Sequence, residues 1–203
     1  MTEANYDFVV KSVFGLPSDR FLIQSSHTEY RSIKLGKALA IIAARTVDQN
    51  AYALNQSDFS EAHCCDLDLS TVDFTGARFK NAVFQSCRFP SNTYTGAAFS
   101  GATFINCDFS RVEIETAAFN DVDFVDCAMS GAFFGDTPLD RARFVRCDLT
   151  NADIRFCDMH GADLSRSHIE STRFSLVGGT RGIILPDHAT ADQRAAFAED
   201  ADD

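Results

Sequence analysis

The sequence predicts an all-β solenoid, a rod of stacked coils in which the chain turns a corner every five residues. Three observations carry this reading. Every fifth residue from Leu54 to Phe174 is apolar, 25 positions without an exception. With 45% of the chain apolar, chance would give such a run at roughly 10⁻⁹. Two residues before these, from Ala62 on, lies a second track, mostly Ala, Cys, Val, Ser and Thr, with Leu67 and Asn92 as misfits. Finally, the chain holds 19 Phe beside 4 Tyr and no Trp, and thirteen of those Phe lie on the first track. Neither the strand period of 2 nor the helix period of 3.6 sustains a five-residue repeat of large and small inward positions. A chain with one large and one small side chain inward per side, and three polar ones outward, does.

Residues 1–52 do not keep the register. Phe8–Phe14 and Phe21–Gln24 are extended candidates, separated by the breaker Gly15-Leu16-Pro17-Ser18. Residues 32–46 predict a helix with Leu35, Leu39, Ile42 and Thr46 along one face. This region either caps the first coil, whose open strand edge would otherwise invite aggregation, or docks or dimerises. The repeat region runs over 53–177. After it, Gly178-Gly179-Thr180-Arg181-Gly182 turns the chain and Ile183-Ile184-Leu185-Pro186 covers the far end. Residues 178–203 are thus read as a C-terminal cap, with a short helix to about Ala198 and an acidic tail. Thr190 and Gln193 form a capping-box pattern for that helix.

Segments such as Ala77-Arg78-Phe79-Lys80-Asn81, Ala102-Thr103-Phe104-Ile105-Asn106 and Ala162-Asp163-Leu164-Ser165-Arg166 resemble the A-[DN]-[LF]-x-x unit of pentapeptide-repeat proteins. The resemblance implies a right-handed quadrilateral β-helix of about six coils, with a partly helical N-terminal cap and a short C-terminal helix. Four pentapeptides make one square coil of 20 residues. Coils then stack about one strand spacing, near 4.8 Å, apart. On that period Cys87, Cys107, Cys127 and Cys147 form one inward column of small side chains. Phe59, Phe79, Phe99 and Phe119 form a second column, and Phe84, Phe104, Phe124 and Phe144 a third.

The residues offer little for catalysis. His27, His63, His160, His168 and His188 share no metal-ligand spacing. Cys64 in His63-Cys64-Cys65 is an inward position, and buried thiols pack as small hydrophobes. The glycine-rich turn at 178–182 lacks the Gly-Lys-Ser/Thr of a phosphate loop. The expectation is no enzyme, no metal and no cofactor. The longest apolar run, within Leu35–Ala44, is roughly half of a membrane span. The polar, acidic Met1–Asp7 shows no secretory signal, and seven cysteines without one suggest reduced thiols. The chain is therefore expected to be soluble and cytoplasmic.

Charge and surface remain. Lys and Arg number 18 against 29 Asp and Glu, a net charge of −11, which argues against direct binding of nucleic acid by phosphate neutralisation. Between residues 106 and 140 stand Asp108, Glu113, Glu115, Asp121, Asp123, Asp126, Asp136 and Asp140, against the single base Arg111. These acids are either a solubilising surface or a belt for a basic partner. Val83, Ile105, Val125 and Val145 fall on outward positions of one side, as an apolar contact patch or as β-forming residues on a flat face. Phe84-Gln85-Ser86-Cys87-Arg88-Phe89, Phe104-Ile105-Asn106-Cys107-Asp108-Phe109 and Phe144-Val145-Arg146-Cys147-Asp148-Leu149 resemble the F-x-x-C-x-[FL] coils of the fluoroquinolone-resistance subgroup. That resemblance implies a DNA-mimicking protein that binds DNA gyrase or topoisomerase IV, with a homodimer as a further option. The alternative class is a scaffold, regulatory module or secreted effector with another protein partner.

Overall fold

The computed structural model describes residues 52–198, apart from 54–57, 66–67, 71 and 93. The N-terminal elements expected before Tyr52, the misfit Leu67 and the acidic tail from residue 199 lie outside the described residues.

The chain forms a right-handed quadrilateral β-helix, the hand favoured for parallel connections between right-twisted strands. Each coil has four sides. On the first side, β2 (His63–Cys65), β4 (Val83–Gln85), β5 (Thr103–Ile105), β7 (Asp123–Val125), β9 (Arg143–Asp148) and β11 (Asp163–His168) stack as one six-stranded parallel sheet. Partners lie 20 residues apart, as in Phe84↔Phe104↔Phe124↔Phe144, so six rungs stand on this side. The third side carries a two-stranded sheet of β1 (Tyr52–Ala53) and β3 (Val72–Asp73). Beyond it comes a four-stranded sheet of β6 (Glu113–Glu115), β8 (Phe133–Gly135), β10 (Asp153–Arg155) and β12 (Arg173–Ser175). Single parallel bridges join the second side (Asp68↔Arg88↔Asp108↔Ala128↔Asp148) and the fourth (Asp58↔Arg78↔Ala98↔Ala118).

The corners explain the five-residue unit. At many of them the central carbonyl accepts the N–H three residues on, as from Ala82 to Phe79 (3.0 Å) and from Ala102 to Phe99 (2.8 Å). The residue before that donor has positive φ, 56° at Asn81 and 73° at Gly101, which is the type II turn and favours Gly or Asn there. The outward residue before the centre has its own task. Asp58, Asp68, Asp73, Asp108, Asp148 and Asp163 each accept the backbone N–H two residues on, at 2.9–3.0 Å. Such Asx turns make an Asp before the central Phe or Leu a structural residue.

Inside, the columns fill the axis. Phe99 is fully buried and stacks on Phe79 at 4.8 Å and Phe119 at 4.7 Å between ring centroids, close to the strand spacing. Phe84, Phe104, Phe124 and Phe144 follow at 5.0–5.2 Å. The cysteine column is more than filler. Cys127 donates its thiol to the carbonyls of Phe104 (3.4 Å) and Val125 (3.5 Å). Cys107 and Cys147 repeat this one coil away, and Ser167 continues the column with a hydroxyl bond to the Phe144 carbonyl at 2.7 Å.

Asn92, a misfit of the small track, is exposed. Pro90 has no N–H for the ladder, and its carbonyl accepts the Tyr94 hydroxyl at 2.8 Å. A cavity of about 620 Å³ bordered by Arg88, Ser91 and Arg111 marks the place.

At the C-terminal end, Ile184 bridges to Asp163 of β11, and Phe197, two residues after the helix α1 (Ala191–Ala195), packs on Phe174 of the last coil at 4.9 Å. Thr190 and Gln193 form the capping box, although the helix stops short of Ala198.

Candidate interaction surfaces

Among the described residues the axis is filled, so the groups open to a partner are outward side chains and the C-terminal end of the rod. Stacking at 20 residues decides which of them meet. Asp121, Asp123 and Asp126 lie directly beneath Arg141, Arg143 and Arg146, and each pair is bidentate. The Nε and Nη2 distances are 2.5 and 2.9 Å for the first pair, 2.5 and 2.6 Å for the second, and 2.6 and 2.7 Å for the third. Hydrogen bonds from Arg141 and Arg146 hold the Asp121 and Asp126 carboxyls below the ordinary range. Asp108 faces Arg88 at 3.9 Å, besides its Asx turn, and Asp140 accepts the His160 N–H at 3.1 Å. Glu113, Glu115 and Asp136 make no ion pair among the described residues. The eight acids therefore do not form one belt. They wrap all four sides, four face arginines and three of these do so in bidentate pairs, and the unpaired ones gather on the third side and its following corner.

Ile105, Val125 and Val145 stand in register on β5, β7 and β9. Val83 pairs with Thr103 instead, so it belongs to the neighbouring column and the stripe has three members. All four are half-buried. The Asp123–Arg143 and Asp126–Arg146 pairs flank the stripe.

Sequence reasoning missed a different apolar set. Phe156 and Leu176, 56% and 72% exposed, stack 20 residues apart at corners with φ of 55° and 51°, where bulky residues are uncommon. Phe133 lies across Gly135, whose missing Cβ would come within 2.6 Å of its ring, and Arg155 covers that ring at 4.9 Å. A signal existed, since Phe133 and Phe156 are among the six Phe off the five-residue track. A cleft of about 830 Å³ lies where β12 faces the segment from His188 to Gln193.

Among the described residues, no group of three His, Cys, Asp or Glu is placed to hold a metal ion, and no helix is long and apolar enough to cross a membrane. Burial pushes the Cys157 thiol up to about 11. Cys127, held between the thiols of Cys107 and Cys147, is also raised.

Two family models match the repeat region. One, described as pentapeptide repeats in eight copies, covers residues 54–89. The other, described as a pentapeptide repeat region, covers residues 99–174. No curated protein matches the chain. Among solved structures it is similar to the pentapeptide repeat protein Rfr23 of the cyanobacterium Cyanothece 51142, with 20% identity, a TM-score of 0.44, and coverage of 47% of this chain and 65% of that one. HetL of Nostoc sp. strain PCC 7120, involved in regulating heterocyst differentiation, gives 21% identity and a TM-score of 0.41 over 68% of this chain and 72% of that one. QnrB1, a plasmid-mediated fluoroquinolone resistance protein, gives 17% identity and a TM-score of 0.41 over 67% and 78%.

Proposed function

The chain belongs to the pentapeptide-repeat family, and from that premise we propose that it is a non-enzymatic cytoplasmic protein that acts by binding another protein through its outward columns. One observation carries the reading: the axis is packed with stacked rings while ordered rows of charge face solvent at strand spacing. Such a rod has a filled core instead of a catalytic hollow. Recognition is assigned to the third side, where Glu113, Glu115 and Asp136 keep free carboxylates, and the arginine-bound Asp121, Asp123 and Asp126 serve the rod itself.

The sharper reading within this class is imitation of duplex DNA toward DNA gyrase or topoisomerase IV. It is supported by the charge of −11 and by the F-x-x-C-x-[FL] coils at residues 84–89, 104–109 and 144–149. The arginine ladder works against it, because it breaks the run of negative charge that a phosphate-like surface needs. The test is gyrase supercoiling with purified chain, with and without a quinolone. Inhibition or drug protection at micromolar protein, lost on changing Glu113, Glu115 and Asp136 to Gln, Gln and Asn but kept when Asp121, Asp123 and Asp126 become Asn, supports mimicry by the third side. Neither effect leaves the scaffold, regulatory or effector reading with a different partner.

A further inference from the structure

At its C-terminal end the rod is closed on three sides. On the first side, Ile184 accepts the Leu164 N–H at 2.8 Å and donates to Ala162 at 2.9 Å. On the fourth, Gly178 and Arg181 accept the N–H groups of Met159 and Gly161, each at 3.0 Å. On the second, the Gln193 amide donates to the carbonyls of Ile169 (2.7 Å) and Thr172 (3.0 Å). On the third side, β12 is the outer strand of its sheet. In the register with β10, the N–H groups of Phe174 and Leu176 and the Phe174 carbonyl point away from the rod, and among the described residues no backbone group meets them. The cleft of about 830 Å³ opens along this edge, a volume within the usual range for ligand pockets.

We propose that β12 is a docking edge for an extended peptide segment of a partner protein, which adds to the third-side sheet as a parallel strand. The register of the rungs below fixes the contacts. The peptide residue over Arg173 accepts the Phe174 N–H. The residue two further on donates its N–H to Phe174 and accepts the Leu176 N–H. Side chains follow from the same columns. Arg173, 75% exposed at its side chain, shares the carboxylate of Asp153 with Arg155, so two guanidinium groups meet one carboxylate and the peptide residue above Arg173 is acidic. Phe197 already covers the Phe174 ring, so the next residue is small. The fourth lies over Leu176, 72% exposed at the head of the Phe156 column, and is large and apolar. The occupant reads acidic, small, any, apolar. The edge is at the end of the rod, so its failure leaves the lateral reading standing.

The probe is a fluorescein-labelled peptide Gly-Asp-Ala-Thr-Leu-Gly, titrated with the full chain and followed by fluorescence anisotropy. Saturable binding below about 1 mM is expected, with affinity lowered at least about tenfold by Leu176→Asp or Arg173→Glu. A peptide with Lys in place of Asp should bind Arg173→Glu better than the unaltered chain. A peptide N-methylated at the Thr nitrogen keeps every side chain and removes one strand bond, so its binding should be lost. No binding at 1 mM, or equal binding of the N-methylated peptide, overturns the proposal. So does a doubled mass by light scattering that Leu176→Asp abolishes, which would assign the edge to a second copy. Binding that appears only after removal of residues 199–203 would assign it to the chain's own tail and likewise overturn it.

Discussion

The cysteine column supports a prediction that separates two views of a buried thiol. If Cys127 were only a small hydrophobe, Cys127→Ser would bury a hydroxyl without partners and cost about 1–3 kcal/mol, more than Cys127→Ala. The structure offers that hydroxyl two carbonyls, of Phe104 and Val125, at 3.4 and 3.5 Å from the present sulfur. The same arrangement already holds oxygen elsewhere, from Ser167 to Phe144 at 2.7 Å, Thr172 to Leu149 at 2.7 Å and Thr137 to Gly135 at 2.9 Å. A neutral hydrogen bond is worth about 0.5–1.5 kcal/mol net, and a thiol is a weaker donor than a hydroxyl. Cys127→Ser should therefore lie within about 0.5 kcal/mol of the unaltered chain, whereas Cys127→Ala, losing both the bonds and the sulfur's packing, should cost about 1–2 kcal/mol. For a chain of this size 1 kcal/mol moves Tm by about 2–4 °C. Urea unfolding followed by far-UV circular dichroism gives the order directly. If the serine variant is as unstable as the alanine variant, or more so, the donor role is wrong and the column is filler after all.

Phe99→Ala should cost about 3–5 kcal/mol, since it empties a fully buried position and breaks stacks on both neighbours; a loss below about 1.5 kcal/mol in the same titration would mean that the rod slips its coils to refill the site. Stability should be flat from about pH 7 to 5 and fall below about pH 4. Serine and threonine hydrogen bonds lower Asp68 and Asp148, and arginine bonds lower Asp121 and Asp126; their contribution is complete above the unfolded value and lost as pH drops through the folded one, so thermal melts peaking near pH 4 would contradict this. The six thiols at 64, 87, 107, 127, 147 and 157, all buried, should react with a thiol reagent only as fast as the chain unfolds, and prompt labelling of any of them in native buffer would show an open core.

The repeat was legible because a period of five survives any permutation of polar residues around it. Lateral pairing was harder to read. Asp121, Asp123 and Asp126 look like a run of acids until the 20-residue step sets Arg141, Arg143 and Arg146 above them. The same step aligns the cysteines, so the pairing is present in the sequence, but it runs across the coils and not along the chain. Val83 stands on the same side as Ile105, Val125 and Val145 but one column over, since 83 and 105 differ by 22 and not by a multiple of the coil. The exposed Phe156 and Leu176 could not be foreseen from propensity. Their corners demand positive φ, a conformation that costs a bulky residue roughly 1–2 kcal/mol, and most other corners meet it with Gly, Asn, Asp or another polar residue. Phe and Leu there are locally unfavourable and gain little from burial, which is the kind of conflict expected where a surface serves something other than the fold.

Both proposals fall on the third side, and its charge changes along the rod. One outward column reads Glu113, Phe133, Asp153, Arg173 and the other Glu115, Gly135, Arg155, Ser175, so acid in the middle gives way to base at the open strand. A partner lying lengthwise would be oriented by this gradient, with its cationic part toward β6 and its acidic strand residue at β12. The two contacts should differ in their response to salt. Exposed carboxylates are screened over about 10 Å at 0.1 M ionic strength, so association through Glu113, Glu115 and Asp136 should weaken steeply between low and physiological salt. Strand addition at β12 rests on backbone bonds and the Leu176 contact, and it should lose far less over the same range. Equal salt slopes for the peptide and for a whole partner would mean that one site accounts for both.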